Sequence, residues 1–137
     1  MKTSRILWIA GAMLVAMILN VLAFVLWMVI YGYVVNPGQP DSFYQQRAQE
    51  MGPYCSIVSG IPIFFAVSYF FLIKCVAGFA FVAAFAFWLL YAIVDVSILV
   101  ISGWGSITFS ILVFVSMATK LGASLLGASL AKKKISA

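Results

Sequence analysis

Residues 6–35 read ILWIAGAMLVAMILNVLAFVLWMVIYGYVV, a run with no charged residue and a single strongly polar one, Asn20. As a helix the run would be about 45 Å long, which exceeds the roughly 30 Å hydrocarbon core of a bilayer. The apolar region of a secretory signal is only about 7–15 residues long. The run therefore predicts a retained transmembrane helix.

The rest of the chain has the same character, because 66% of its 137 residues are hydrophobic and only 8% are charged. A soluble domain carries about 25% charged residues, so this chain could not cover a water-facing surface. The further apolar runs are too long and too uniform for membrane β-strands. The predicted fold is a single all-α integral membrane domain over residues 1–137, with four transmembrane helices in an up-down bundle.

Proline, glycine and charged residues separate the predicted spans. The sequence NPGQP at 36–40 is expected to end the first helix, and the polar stretch 41–51 predicts a short helix at the outer interface. Gly52 is expected to stop that short helix, and Pro53 to begin the next one. The predicted segments are a first span at 6–35, an outer loop with its interfacial helix at 36–52, spans at 53–73, 75–101 and 104–131, and a lysine tail at 132–137.

The basic residues predict the orientation of the chain. Six of the eight fall on one side of this topology: Lys2, Arg5, Lys74, Lys132, Lys133 and Lys134. The other side holds Arg47, beside Asp41 and Glu50. By the positive-inside rule both termini are expected in the cytoplasm, and the short loops favour a prokaryotic inner membrane. The lipid bilayer is thus an expected partner, and each lysine of the tail would attract anionic headgroups by about 1 kcal/mol.

Several functions are not expected for this composition. The chain has no His, the commonest general acid or base and the commonest metal ligand. It also has no metal-ligand spacing, phosphate-binding loop, nucleophile motif or dinucleotide fingerprint. We therefore expect no enzymatic activity, no cofactor and no metal. The bases lie at the ends of apolar runs and not along a stripe, so a nucleic-acid partner is not expected either.

Asn20, Tyr91, Asp95 and Lys120 are polar residues that the topology alone does not explain. At about 1.5 Å per residue, Asn20 and Lys120 fall at comparable heights, with Asp95 roughly 10 Å nearer the outside. A direct ion pair between Asp95 and Lys120 is therefore not expected without a shift or tilt of the helices, whereas Tyr91 is placed to hydrogen-bond Asp95.

Two interpretations of Lys120 are open on the sequence alone. It either lies within the membrane on a helix that continues to the lysine tail, or the span ends near it and its side chain reaches the interface.

Two predicted helix faces carry small residues at a spacing of four. Such residues let transmembrane helices approach closely. The predicted helix-packing residues are Ala12, Ala16, Ser116, Ala123, Ser124, Gly127 and Ala128.

The favoured function is therefore non-enzymatic. These faces would let the chain act as a subunit or accessory protein that assembles by helix packing, as a homo-oligomer or within a larger membrane complex. The alternative is a small oligomeric transporter or channel that uses Asp95 and Lys120, because ionisable residues inside a membrane commonly mark a pathway. In the first case the polar residues hold helices together, and in the second they line the path.

Overall fold

The computed structural model of the chain describes residues 3–72, 79–103 and 111–136. Of these residues 94% are helical and none lies in a strand, so the all-α prediction is confirmed. The four long helices are α1 (Thr3–Ile30), α2 (Asp41–Leu72), α3 (Ala80–Ile101) and α4 (Ile111–Ser136), and a π-helical turn over Tyr31–Val35 extends α1.

All four helices are long and apolar enough to cross a membrane. The candidate spans are Arg5–Val35, Asp41–Phe71, Ala80–Ile101 and Ile111–Ile135. The predicted four-helix bundle is thereby confirmed. The predicted boundary at Lys74 and the predicted start of the fourth span at Trp104 lie outside the described residues.

The second helix differs from the prediction. α2 is continuous from Asp41 to Leu72, with Gly52 and Pro53 inside it, so this described segment contains no separate interfacial helix ending at Gly52. A break at Gly52 would leave about four carbonyl and four N–H groups without intrahelical partners, whereas an internal proline removes one hydrogen bond. The local stop and start signals are weaker than this backbone requirement.

The connection between α1 and α2 is held by Tyr44. The Asn36 N–H donates to the Tyr31 carbonyl (2.9 Å) and closes the π-helical turn. The Tyr44 hydroxyl donates to the Asn36 carbonyl (2.8 Å) and accepts from the Gln39 N–H (3.2 Å). Gly38 has a φ of 80°, a conformation that favours glycine. The chain therefore reverses within a few residues, and α2 returns antiparallel to α1.

Contacts at the other end of the bundle fix the directions of α3 and α4. The Arg5 guanidinium lies 5.1 Å from the centre of the Phe79 ring, so α1 and α3 start at the same end. The Lys132 ammonium lies 5.6 Å from the centre of the Phe81 ring, so α4 finishes there. We call this the basic end, and the opposite end, where α1 passes to α2, the loop end. α1 and α3 run toward the loop end, and α2 and α4 run away from it.

The helices are not arranged in chain order around the bundle. α2 packs most extensively against α4, and α1 contacts both α2 and α3, whereas the backbones of α2 and α3 come close at few positions because these helices lie diagonally across the bundle. The order around the bundle is therefore α1, α2, α4, α3, with α2 and α4 as parallel neighbours. Phe64 of α2 fills the centre, with its ring 5.0 Å from Phe87 and 4.7 Å from Tyr91 of α3.

Candidate functional site

Three of the polar residues singled out from the sequence meet at one oxygen atom. The Asn20 side-chain amide of α1 donates to the Tyr91 hydroxyl of α3 at 2.7 Å. The Lys120 ammonium of α4 donates to the same hydroxyl at 3.2 Å. Asn20 is 9% exposed and Tyr91 2%. The Tyr91 hydroxyl thus joins three helices inside the bundle.

Lys120 is fully buried, with an exposure of 0%. Its ammonium donates to the Ser56 hydroxyl at 2.6 Å and lies 4.7 Å from the centre of the Tyr91 ring and 5.7 Å from that of Phe64. α4 continues past it to Ser136. Lys120 is therefore buried inside the bundle on a helix that continues beyond it, and its side chain does not extend to the helix end; its depth in a membrane stays a prediction.

α2 provides the groove that holds the Lys120 side chain. A Cβ atom at Gly60 would lie 2.6 Å from Lys120 Cε and 3.2 Å from its Cγ. Sequence reasoning missed this contribution of α2. The sequence did contain a pattern that could have indicated it. Ser56, Gly60 and Ser68 are separated by multiples of four residues, so they lie on one face of α2, which packs against the polar face of α4.

Asp95 lies one turn beyond Tyr91 on α3 and is half-buried. Its charge acts on both the Tyr91 hydroxyl and the Lys120 ammonium. It does not form a salt bridge with Lys120; in the part of the chain that the structure describes, the direct ion pair is Arg47–Glu50 at 2.8 Å. This agrees with the expectation that Asp95 and Lys120 would not form a direct ion pair.

Further hydroxyl groups extend the network. The Ser59 hydroxyl lies 2.9 Å from the Asn20 side-chain oxygen and 2.7 Å from the Cys55 carbonyl oxygen, and it can donate its single proton to either acceptor. The Ser116 hydroxyl of α4 lies 3.2 Å from the Ser56 hydroxyl of α2. Each of the four helices therefore contributes a polar side chain to one connected cluster, which we call the polar cluster.

A half-open cavity of about 280 Å³ lies between the polar cluster and the loop end. Its polar lining consists of Asn20, Ser56, Tyr91, Asp95 and Ser116. Most of the remaining wall is apolar, and it reaches Pro53 of α2 and Leu99 of α3. Lys120 does not line the cavity, because its ammonium lies behind the hydroxyls that accept its hydrogen bonds. We call this space the loop-end cavity.

On the other side of the polar cluster the bundle is tightly packed. The Ser68 hydroxyl donates to Ser124 (2.9 Å), whose hydroxyl donates to the Ala84 carbonyl (3.2 Å). A Cβ atom at Gly127 would lie 2.6 Å from the Phe65 carbonyl oxygen, so α2 and α4 are in backbone contact there. The loop-end cavity therefore ends at the polar cluster.

The small residues predicted to pack helices are buried between helices of this same chain. They are Ala12, Ala16, Ser116, Ala123, Ser124, Gly127 and Ala128. Ala12, Ala16 and Ala123 belong to the central core cluster, and Ala128 to a second cluster toward the basic end. These faces are therefore not open to a partner while the bundle is intact.

The lysine tail lies at the end of α4. Lys132, Lys133 and Lys134 are exposed, and the last two line a shallow depression with Tyr69 and Leu130. Their predicted interaction with lipid headgroups stays a prediction.

No protein-family model, curated protein or solved structure matches the chain. The described residues contain no group of three or more His, Cys, Asp or Glu side chains that could hold a metal ion. The loop-end cavity and the polar cluster beneath it are therefore the features from which a function can be inferred. Together they offer a carboxylate, an amide, several hydroxyls and an apolar wall, which suit the binding of a small molecule.

Proposed function

We propose that the chain is an integral membrane protein of a prokaryotic cytoplasmic membrane, with the basic end and both termini on the cytoplasmic side. Large apolar side chains cover its surface, as at Tyr33 (81% exposed) and Ile101 (85% exposed), while its polar groups converge in the interior. That distribution suits lipid surroundings. Arg5 and Lys132 both lie at the basic end. By the positive-inside rule, this end of the bundle is expected on the cytoplasmic side.

We further propose that the protein is a small-molecule carrier that takes up its solute in the loop-end cavity. The observation that carries this proposal is the convergence of residues from all four helices on one cavity, among them Asn20, Tyr91 and Asp95. Ionisable residues inside a membrane protein usually face a cavity and mark a substrate or proton pathway. Asp95 is the group that would contact the solute, and Lys120 would hold the floor of the cavity in place.

A carrier fits the packing better than a channel does. A channel needs a continuous path, whereas the loop-end cavity stops at the polar cluster and is followed by the tight contact at Gly127. Transport would require this packed half to open while the cavity closes, as in alternating access. The hydrogen bonds of Lys120 to Ser56 and Tyr91 join α4 to α2 and α3, so they are the contacts that such a motion would break.

Assembly through the small-residue faces has less support as the main function. Ala16, Ser124 and Ala128 are fully buried against helices of their own chain, so a partner would first have to displace those helices. The cavity also lies within a single chain, so the proposed solute site does not require a second copy. A homo-oligomer held by other surfaces stays a prediction.

Uptake by reconstituted liposomes tests the carrier function. We expect saturable uptake of at least one class from a panel of radiolabelled organic cations, carboxylates, neutral amino acids and sugars. Asp95→Asn keeps the shape of the side chain but removes its charge, and should lower that uptake by about tenfold or more. Asp41→Asn, the same change at an exposed position at the loop end, should leave uptake unchanged. Uptake no higher than in protein-free liposomes for every class would contradict the proposal.

A further inference from the structure

We infer that the loop-end cavity binds an organic ammonium cation with an apolar body. This inference rests on the proposed function, because it names the class of solute that the carrier would take. It follows from the charge, the aromatic groups and the size of the cavity.

Among the residues that the structure describes, the charged side chain that lines the cavity is Asp95. The ammonium of Lys120 is buried behind the floor, and its hydrogen bonds go to the oxygens of Ser56 and Tyr91. A solute in the cavity therefore meets a carboxylate and hydroxyl oxygens before it meets a positive charge. An anion would face Asp95 at close range, and repulsion between like charges opposes its binding.

The apolar part of the wall favours an ammonium group that is attached to a hydrophobic body. Phe24 presents an aromatic group to the cavity, and a cation within about 6 Å of a ring centre is attracted to its face. Tyr91 contributes its hydroxyl, because its ring already has the Lys120 ammonium 4.7 Å from its centre. Val21, Leu99 and Met117 supply apolar surface that a hydrated inorganic ion could not use. The cavity thus pairs one acidic group with an apolar enclosure.

The size of the cavity limits the body of the cation. At about 280 Å³ it is slightly smaller than the roughly 300–1,000 Å³ of most small-molecule sites. A cation with one aromatic ring fits this volume, whereas a larger multi-ring cation would extend out of it. Benzyltrimethylammonium is a suitable probe, because neopentylbenzene has the same shape without the charge.

Binding to the full-length protein in lipid nanodiscs tests the inference. We expect radiolabelled benzyltrimethylammonium to bind at a single saturable site per chain, with empty nanodiscs as the blank. Asp95→Asn should weaken this binding by about tenfold or more, and Asp41→Asn should not change it. Excess neopentylbenzene and excess phenylacetate should each compete poorly with the labelled cation.

Several outcomes would overturn the inference. They are equal binding of the cation to Asp95→Asn, stronger binding of phenylacetate than of the cation, or equally effective competition by neopentylbenzene. Failure of this inference and of the carrier function can be told apart. Asp95-dependent uptake of a different solute class would contradict the cation site alone, while cation binding without any uptake would support the site and contradict the carrier.

Discussion

The Tyr91 hydroxyl shows how one side chain holds buried polar groups together. It accepts hydrogen bonds from the Asn20 amide and the Lys120 ammonium, and its ring packs edge-on against Phe64. A buried ammonium is strongly unfavourable without partners. Lys120 is satisfied here by two hydroxyls and two aromatic faces, with the Asp95 charge nearby.

At the residue scale we predict that Tyr91→Phe destabilises the bundle. The ring stays, but the Asn20 amide and the Lys120 ammonium each lose a partner inside the protein, which should lower the free energy of unfolding by about 1–3 kcal/mol. Equilibrium unfolding in mixed detergent micelles measures the change. Tyr33→Phe removes the same hydroxyl from an 81% exposed side chain and should change stability by less than about 0.5 kcal/mol. Equal stabilities of the two variants would argue against a structural role for the Tyr91 hydroxyl.

At the scale of elements, the contact between α2 and α4 organises the bundle. These parallel helices share the groove at Gly60, the hydrogen bond between Ser68 and Ser124, and the close approach at Gly127. Small side chains leave room for the two backbones to approach closely. In lipid, helices associate through dispersion contacts and hydrogen bonds rather than through the hydrophobic effect, so this close approach stabilises the pair. The interface between α2 and α4 therefore requires small residues at its contact positions, such as Gly60 and Gly127.

We predict that Gly127→Ala weakens this interface. The added methyl group would lie 2.6 Å from the Phe65 carbonyl oxygen and 3.1 Å from the Tyr69 backbone nitrogen, so backbone would have to move. Overpacking of this kind lowers stability by about 1–3 kcal/mol, which thermal unfolding in detergent should detect. Gly122→Ala is the matched control on the same helix, because nothing lies within 4 Å of its added Cβ. It should be neutral or raise stability by up to about 1 kcal/mol, since alanine favours helix. Equal destabilisation by both substitutions would contradict close packing at Gly127.

At the scale of the whole molecule, the bundle separates two chemically different ends. The basic end gathers Arg5, Lys132 and the last turn of α4, whereas the loop end carries the short connection at 36–40 and lies next to the cavity. Under the proposed orientation, the cavity lies in the half of the bundle nearer the outside of the cell.

We predict that the two ends are accessible from opposite sides of the membrane. Single cysteines at Gln45→Cys and Ile135→Cys, in a chain with Cys55 and Cys75 replaced by alanine, report this because both positions are exposed. An impermeant maleimide added to intact cells should label position 45 and not position 135, and permeabilised cells should show both. Labelling of position 135 alone in intact cells would show the orientation opposite to the proposed one. Equal labelling of both positions in intact cells would contradict the placement of the two ends on opposite sides of a membrane.

The amino-acid sequence was enough to predict the helical class, four helices long and apolar enough to span a membrane, and the identity of the unusual polar residues. These features depend on the length of apolar runs and on isolated polar or charged residues, which are local properties of the chain. Asn20, Tyr91 and Lys120 therefore stand out from the amino-acid sequence alone. The stop signal at Gly52 misled for the same reason, because it reports only local preference and the continuity of α2 outweighed it.

Which helices are neighbours, and where the polar residues meet, could not be predicted from the sequence and is seen in the folded bundle. Lys120 and Ser56 are 64 positions apart, and Asn20 and Tyr91 are 71 apart, so no local pattern couples them. The order around the bundle, with α2 beside α4, turned the small-residue faces inward and brought Ser56 and Gly60 to Lys120. The loop-end cavity likewise exists only as a space between helices, because its wall is shared by all four.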